Sequence, residues 1–397
     1  MVGNARVVAL GEQVHGTHEP LALRNELFQH LVTDRGFTAI AVESGVCESQ
    51  SIYEFVRGAN GDPVQVARAG FSWGFGSFGE NVDLIRWMRD YNADPTHRRK
   101  INFYGMDMCG GEDAEFTRSR VAFEAVLGYL QRVAPEQVNG ARSIVTPLLA
   151  RLTSQSYRQI GTPERDALHE LIVNWGRLFE EHRVTSIAAT SETAYAWAKR
   201  DVIAAAQIEA AFKAWPPDNP PEGVSPNLYK VVNIRDAAMA KNLEWALKRE
   251  GASGRVVLFA HNAHIMNATS VGGIWQIYRQ APIAMGQHLR SALGDALVTI
   301  ASSSAEDEPG FPKMVLAADG IDEVLARIGL PRYLVDLRKA EGVGVIRWFN
   351  TPHPLSVGFV TEHIVSPRQA YDAFAHFKRL THTHSPQEAA GKSAASP

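Results

Sequence analysis

Residues 7–24 read VVALGEQVHGTHEPLALR, and how this stretch divides decides the fold. The apolar run ahead of Gly11 predicts a strand at Arg6–Leu10. Pro20 suits the first turn of a helix. Leu21, Leu27, Phe28, Leu31 and Val32 then recur at three-to-four residue spacing, which predicts a helix over Glu19–Val32. Between strand and helix lie Glu12, His15 and His18, an acid and two histidines in one connecting loop.

The same alternation continues along the chain. Further strands are expected at Thr38–Glu43, Ile101–Met106, Arg255–Ala260, Ala296–Ala301 and Arg332–Leu337, with helix-length spacers between most of them. That pattern predicts an α/β fold with a mostly parallel central sheet flanked by helices. Residues 1–111 form the first part of this core. From 112 to 225 the pattern changes to long amphipathic segments, read as a helical insertion forming a cap and closed by the proline-rich run at 216–221. Residues 226–380 return to the core, and the small, polar tail at 381–397 is expected to be disordered.

Composition narrows the class. The 397 residues are 45% hydrophobic and 21% charged with a net charge of −3, which gives no basic footprint for nucleic acid. No apolar run spans a bilayer and no secretory signal opens the chain, so no membrane partner and a cytoplasmic location are expected. Cys47 and Cys109 are the two cysteines; each reads as a small buried hydrophobe rather than part of a disulfide framework.

Four strands end in residues capable of chemistry. The first delivers Glu12 and His15, the second Glu43, the third Asp107, and the fourth His261 and His264 in the segment HNAH. Ligands of open parallel sheets bind beyond the carboxyl ends of the strands, so the coincidence points to one site. Arg24 projects from the middle of an otherwise apolar helix face, where an unpaired guanidinium would be costly. Glu12 or Glu43 is its expected partner. Asp107 and Asn262 are taken as substrate contacts. Trp73, Phe75 and Phe78 are taken as apolar walls, although they could equally be core. GFGSFG at Gly74–Gly79 spells a dinucleotide pattern but follows no strand, and is read as an aromatic loop.

Acids, imidazoles and a fixed cation without a serine elbow favour water activated by a histidine. The same residue types could hold one divalent metal such as Zn²⁺ or Mn²⁺, and the spacing alone leaves that alternative open.

GEQVHGTHE with Arg24, AIAVES, WMRDYN, FYGMDM, RDAAMAKN at Arg235–Asn242, FAHNAHI and AMGQHLRSALGD together resemble the erythromycin esterase family, which includes succinoglycan-biosynthesis-like proteins. The resemblance runs from about Val7 to Leu337. It implies an α/β core with a helical insertion and hydrolysis of an ester or macrolactone of a bulky small molecule, without a metal. By the resemblance, His15 is the general base, Glu43 orients it or the water, and Arg24 is an essential arginine. Glu12 is the acid of the first motif, and His261 and His264 steady the oxyanion or leaving group. Val14 departs from the small hydroxyl residue usual before that histidine. A biosynthetic enzyme using the same residues for elimination, cyclisation or acyl transfer is the alternative. His18 sits in the turn entering the helix and is left without a role.

Overall fold

Val7–Glu12 (β1) is buried at every position because both of its faces are covered. Val7 and Ala9 face one apolar cluster while Val8 and Leu10 face another, as the two-residue period of a strand requires. This computed structural model describes the chain except residues 113–115, 218–223, 270, 309–315, 357, 359–361 and 387–397.

The remaining strands, in chain order, are β2 (Ala39–Gly45), β3 (Asn102–Asp107), β4 (Val256–His261), β5 (Leu297–Asp307), β6 (Arg332–Asp336), β7 (His353–Ser356), β8 (Glu362–Val365) and β9 (Ala373–Leu380). Seven of them form one sheet in the order β3-β2-β4-β1-β5-β9-β6. All neighbours in it run parallel except β6, which pairs antiparallel with β9 at the edge. The strands β7 and β8 make a separate antiparallel pair. The architecture is therefore the expected mostly parallel sheet flanked by helices. The sequence reading passed over β9 because His376, Lys378 and Arg379 interrupt its apolar run. His376 is nevertheless buried, with Nδ1 3.1 Å from Ser303 Oγ.

The helix after β1 runs from His18 to Arg35 and buries Leu21, Phe28, Leu31 and Val32. It stops at Gly36, whose φ of 67° is left-handed and whose N–H reaches Leu31 O, a termination suited to glycine. Among the described residues between β3 and helix Tyr229–Glu250 lie the helices Arg120–Val133, Pro135–Val145, Thr162–Glu181, Arg183–Ala189 and Glu192–Ala214. The long helix Glu192–Ala214 packs on Tyr229–Glu250, which in turn packs on β3. No helix among the described residues is long and apolar enough to cross a membrane.

Three expectations need correction. Cys47 and Cys109 are joined to each other in a disulfide across 62 residues of sequence. Parallel pairing of β2 with β3 brings the segments after them together, a proximity that sequence distance hides. The tail was expected to be disordered from residue 381, yet Thr381 accepts from His18 N–H, His382 bridges Thr17, and His384 O accepts from Gly79 N–H; residues 387–397 lie outside the described ones. Asn262 is fully buried. Its amide donates to Ser302 O at 2.8 Å and accepts from Ser302 N–H at 3.0 Å, tying the loop after β4 to β5.

That amide also explains Gly11. A Cβ there would come within 2.2 Å of Asn262 Oδ1 and 3.2 Å of Asn262 Cα. Gly11→Ala should therefore destabilise the protein by about 1–3 kcal/mol through overpacking, read as a lowered urea midpoint at unchanged slope. An unchanged midpoint would show that the loop after β4 gives way freely.

Candidate active site

Because β1, β2, β3 and β4 run parallel, Glu12, Glu43, Asp107 and His261 emerge at one edge of the sheet. A cleft of about 530 Å³ opens there, lined by His15, Glu43, Arg235, His261, His264 and His363, with Trp73, Phe75, Val232, Ala263 and Trp275 as its remaining walls. The described residues that line it include no serine, threonine or cysteine.

His15 is 42% exposed, and its Nδ1 lies 2.7 Å from Glu12 Oε1 on a buried carboxylate. Nδ1–H donates to that oxygen, leaving Nε2 as the nitrogen that can exchange protons with a bound molecule. Burial disfavours the charged ring, but Glu12 and, at greater range, Glu43 outweigh it and raise the pKa above the ordinary 6.5.

Glu43 is held from three sides. Its Oε2 accepts from His261 N–H at 2.8 Å, and its Oε1 accepts from Arg235 Nη2 at 2.9 Å and lies 3.3 Å from His264 Nε2. Burial alone would push the carboxyl up, but His264, His15 and Arg235 hold it well below the carboxylate range. His264 donates from Nδ1 to Asp236 Oδ1 at 2.8 Å. Against the cost of burial, Asp236 and Glu43 raise its pKa to about 10, so it is an imidazolium at neutral pH.

His261 differs in kind. Its Nε2–H donates to Gln13 O at 3.0 Å, and Nδ1 accepts from Ala263 N–H at 3.2 Å. With both ring nitrogens committed to backbone, burial and the nearby His15 press its pKa well below 6.5. It is a neutral wall, its ring centroid 5.1 Å from that of His15, rather than the oxyanion donor the family resemblance implied.

The arginine that lines the cleft is Arg235, on helix Tyr229–Glu250, and not Arg24. Arg235 grips Asp107 with two prongs, Nε to Oδ1 at 2.9 Å and Nη2 to Oδ2 at 2.6 Å, and lies 5.2 Å from the Trp73 ring. Burial opposes its charge, but Asp107 and Glu43 raise its pKa further. Asp107 is thereby used up. It is fully buried and also accepts from Met108 N–H and Trp73 Nε1, so it positions Arg235 and Trp73 rather than meeting a substrate.

Arg24 is fully buried beside the cleft instead of lining it. Its partners are Asn81 Oδ1 at 2.7 Å, Asn25 Oδ1 at 2.8 Å and the Glu80 carbonyl, with Phe259 under its face. Among the described residues no carboxylate takes up the fork expected for Glu12 or Glu43, and burial lowers its pKa to about 10. Glu12 and Glu80 act on it only from a distance. Trp73 and Phe75 do form walls, while Phe78 stacks behind Phe75 with centroids 5.4 Å apart.

Arg235, Asp236, Trp275 and His363 escaped the choice of site residues from sequence. The pair Arg235–Asp236 stood in a quoted block, RDAAMAKN, but a charged pair inside a helix reads as surface. His363 is buried, with Trp275 against it and its pKa pressed by burial and His264 to about 3. Nothing in its spacing marked it.

The chain belongs to the erythromycin esterase family, whose sequence profile matches residues 32–380. It is 24% identical over 307 residues to erythromycin esterase type II of Escherichia coli, covering 77% of this chain and 70% of that one. Among solved structures it superposes on a Bacillus cereus protein with a TM-score of 0.77 at 22% identity, covering 97% of this chain and 91% of that one. A succinoglycan biosynthesis protein gives 0.77 at 22% identity over 96% and 90% of the two chains. A mutant erythromycin esterase in its open conformation gives 0.70 at 14% identity over 96% and 93%. These structural likenesses establish the fold, and the family supports a hydrolase-like function.

The charge pattern sets two pH dependences. His264, raised from 6.5 to about 10 in the folded state, should add stability that is fully present below pH 6.5 and lost as pH rises through about 10. In His264→Gln this alkaline loss in urea stability should vanish; if it persists, other groups carry it. Glu12→Gln should remove the main influence raising His15, moving the acid limb of kcat/KM to lower pH. An unmoved acid limb would take His15 out of that titration.

Proposed function

We propose that this member of the erythromycin esterase family hydrolyses an ester or lactone of a bulky small molecule by direct attack of water, with His15 as general base. The observation that carries the proposal is the pairing of a half-exposed His15 with buried Glu12 at 2.7 Å, in a cleft lined by histidines and aromatic rings. Glu12 fixes the tautomer and stabilises the imidazolium that forms, the role an acid plays beside a catalytic histidine. His15 Nε2 takes a proton from water as the water oxygen bonds to the acyl carbon. The carbonyl π electrons move onto oxygen, where His264 and Arg235, both cationic, face the developing charge. Collapse breaks the bond to the alkoxy oxygen, which receives a proton from His15, and the products are an acid and an alcohol. Glu43 keeps the two cations in place and is itself kept ionised by them. The apolar walls Trp73, Phe75, Val232 and Trp275 suit a large hydrophobic acyl or macrocyclic group. Similarity to erythromycin esterase type II of Escherichia coli makes erythromycin the first member of a substrate panel.

Water is activated by His15 rather than by a metal ion. The carboxylate and charged imidazole of the cleft are already engaged, Glu43 with Arg235 and His264 with Asp236.

The test is a panel of macrolactones and simple esters screened by mass spectrometry for the gain of one water. On a positive substrate, His15→Ala should lower kcat/KM by ~10²-fold or more, the scale of general-base catalysis. Turnover in H₂¹⁸O should place the label in the acid product in a single turnover, with none retained by the enzyme. Near-full activity in His15→Ala would remove the assigned base, and a labelled or acylated enzyme would replace direct attack with a covalent route.

A further inference from the structure

Outside the cleft, the segment at 381–386 takes part in a second polar cluster. Gly79, at the start of helix Gly79–Ala93, donates its N–H to His384 O at 2.9 Å. The approach is close: a Cβ at Gly79 would lie 2.2 Å from His384 Cδ2. This docking sets the His384 ring beside Glu80 and His18. His384 Nδ1 lies 2.8 Å and His18 Nδ1 2.6 Å from the same oxygen, Glu80 Oε1. Glu80 is 1% exposed, and its other oxygen, Oε2, is buried without a hydrogen-bond partner.

We propose that His18, Glu80 and His384 form a binding site for a divalent transition metal, Zn²⁺ being the best fit to two imidazoles and a carboxylate. One donor atom from each residue lies within 4.8 Å of the others. Tetrahedral Zn²⁺ would hold such atoms roughly 3.3 Å apart, so the side chains need move by less than about 1 Å.

Two further features favour a cation over a chance contact. His384 Nε2 lies 3.1 Å from Asp83 Oδ2. An Nε2–H donated to Asp83 leaves Nδ1 with its lone pair aimed at Glu80, the carboxylate–histidine–metal arrangement that orients ligands elsewhere. In that tautomer Nδ1 and the carboxylate oxygen are two acceptors face to face, and only a proton or a cation between them relieves the repulsion. The unpartnered Glu80 Oε2 offers a second acceptor to the same cation. His18 and His384 contribute from opposite ends of the sequence, so the ion would staple the C-terminal segment to the first helix. The staple adjoins the cleft indirectly. Asn81, next to Glu80, accepts from Arg24 and donates to the Phe75 carbonyl at 2.8 Å.

The test uses the full chain, stripped with a chelator and titrated with Zn²⁺ against a chromogenic competitor. One Zn²⁺ per chain is expected, with a rise in Tm of about 3 °C or more at saturating metal. His18→Ala and His384→Ala should each weaken binding at least 10-fold. Asp83→Asn, at a half-exposed position unable to unfold the core, should weaken it roughly 10-fold by loosening the ligand beside it. His264→Gln, in the cleft, should leave the stoichiometry unchanged. Urea midpoints of the metal-free variants separate lost binding from lost folding. Absence of stoichiometric binding would show a cluster held by protons alone and overturn the proposal. So would binding that survives both His18→Ala and His384→Ala, or that is abolished by His264→Gln.

Discussion

Everything in the cleft depends on one interaction, the grip of Arg235 on Asp107 and Glu43. A guanidinium beside two buried carboxylates neutralises charge that would otherwise be very costly away from water. It also joins three elements, β2, β3 and helix Tyr229–Glu250, at the sheet edge where they open toward solvent. Glu43 is ionised because Arg235 and His264 are beside it. His264 is charged because Glu43 and Asp236 are beside it. The charges of the site are thus mutually determined rather than properties of single residues.

Within this frame the three cleft histidines of the first and fourth strand loops have separate states. His264 is a cation between two acids, and His261 is kept neutral by burial and the nearby His15, with both ring nitrogens bonded to backbone. His15 lies between these extremes, with one nitrogen fixed by Glu12 and one left toward the cleft. Only an imidazole of that third kind can both take and return a proton near neutral pH. Identical side chains are divided into a half-exposed donor to Glu12, a neutral wall and a cation by what surrounds their rings.

Strand ends in the sequence pointed to residues that the structure brings to one cleft, His15, Glu43, His261 and His264 among them. A parallel sheet must deliver its carboxyl-terminal residues to one edge, so Glu12, Glu43 and the HNAH segment could be gathered without coordinates. The reading erred where direction mattered. Arg24 stands on an apolar helix face, as its spacing showed, but spacing does not say whether such a residue turns to the cleft or to a bed of asparagines. Asp107 and Asn262 stand at strand ends too, yet their side chains are consumed by Arg235, Trp73 and Ser302. His363 and Trp275 come from segments with no strand-end signal at all.

By itself, the sequence determined the alternation of strand and helix, the parallel sheet, and the set of acids and imidazoles at its edge. Those follow from local periodicity and from connection geometry, which act over a few residues. Only the tertiary structure decided which arginine serves the cleft, which histidine can exchange a proton, and that Cys47 meets Cys109. It also decided that His18, seemingly idle in its turn, faces Glu80 and His384. The reason is common to all four. Each depends on where a side chain from a distant segment places one atom, within about an ångström, beside a buried partner group.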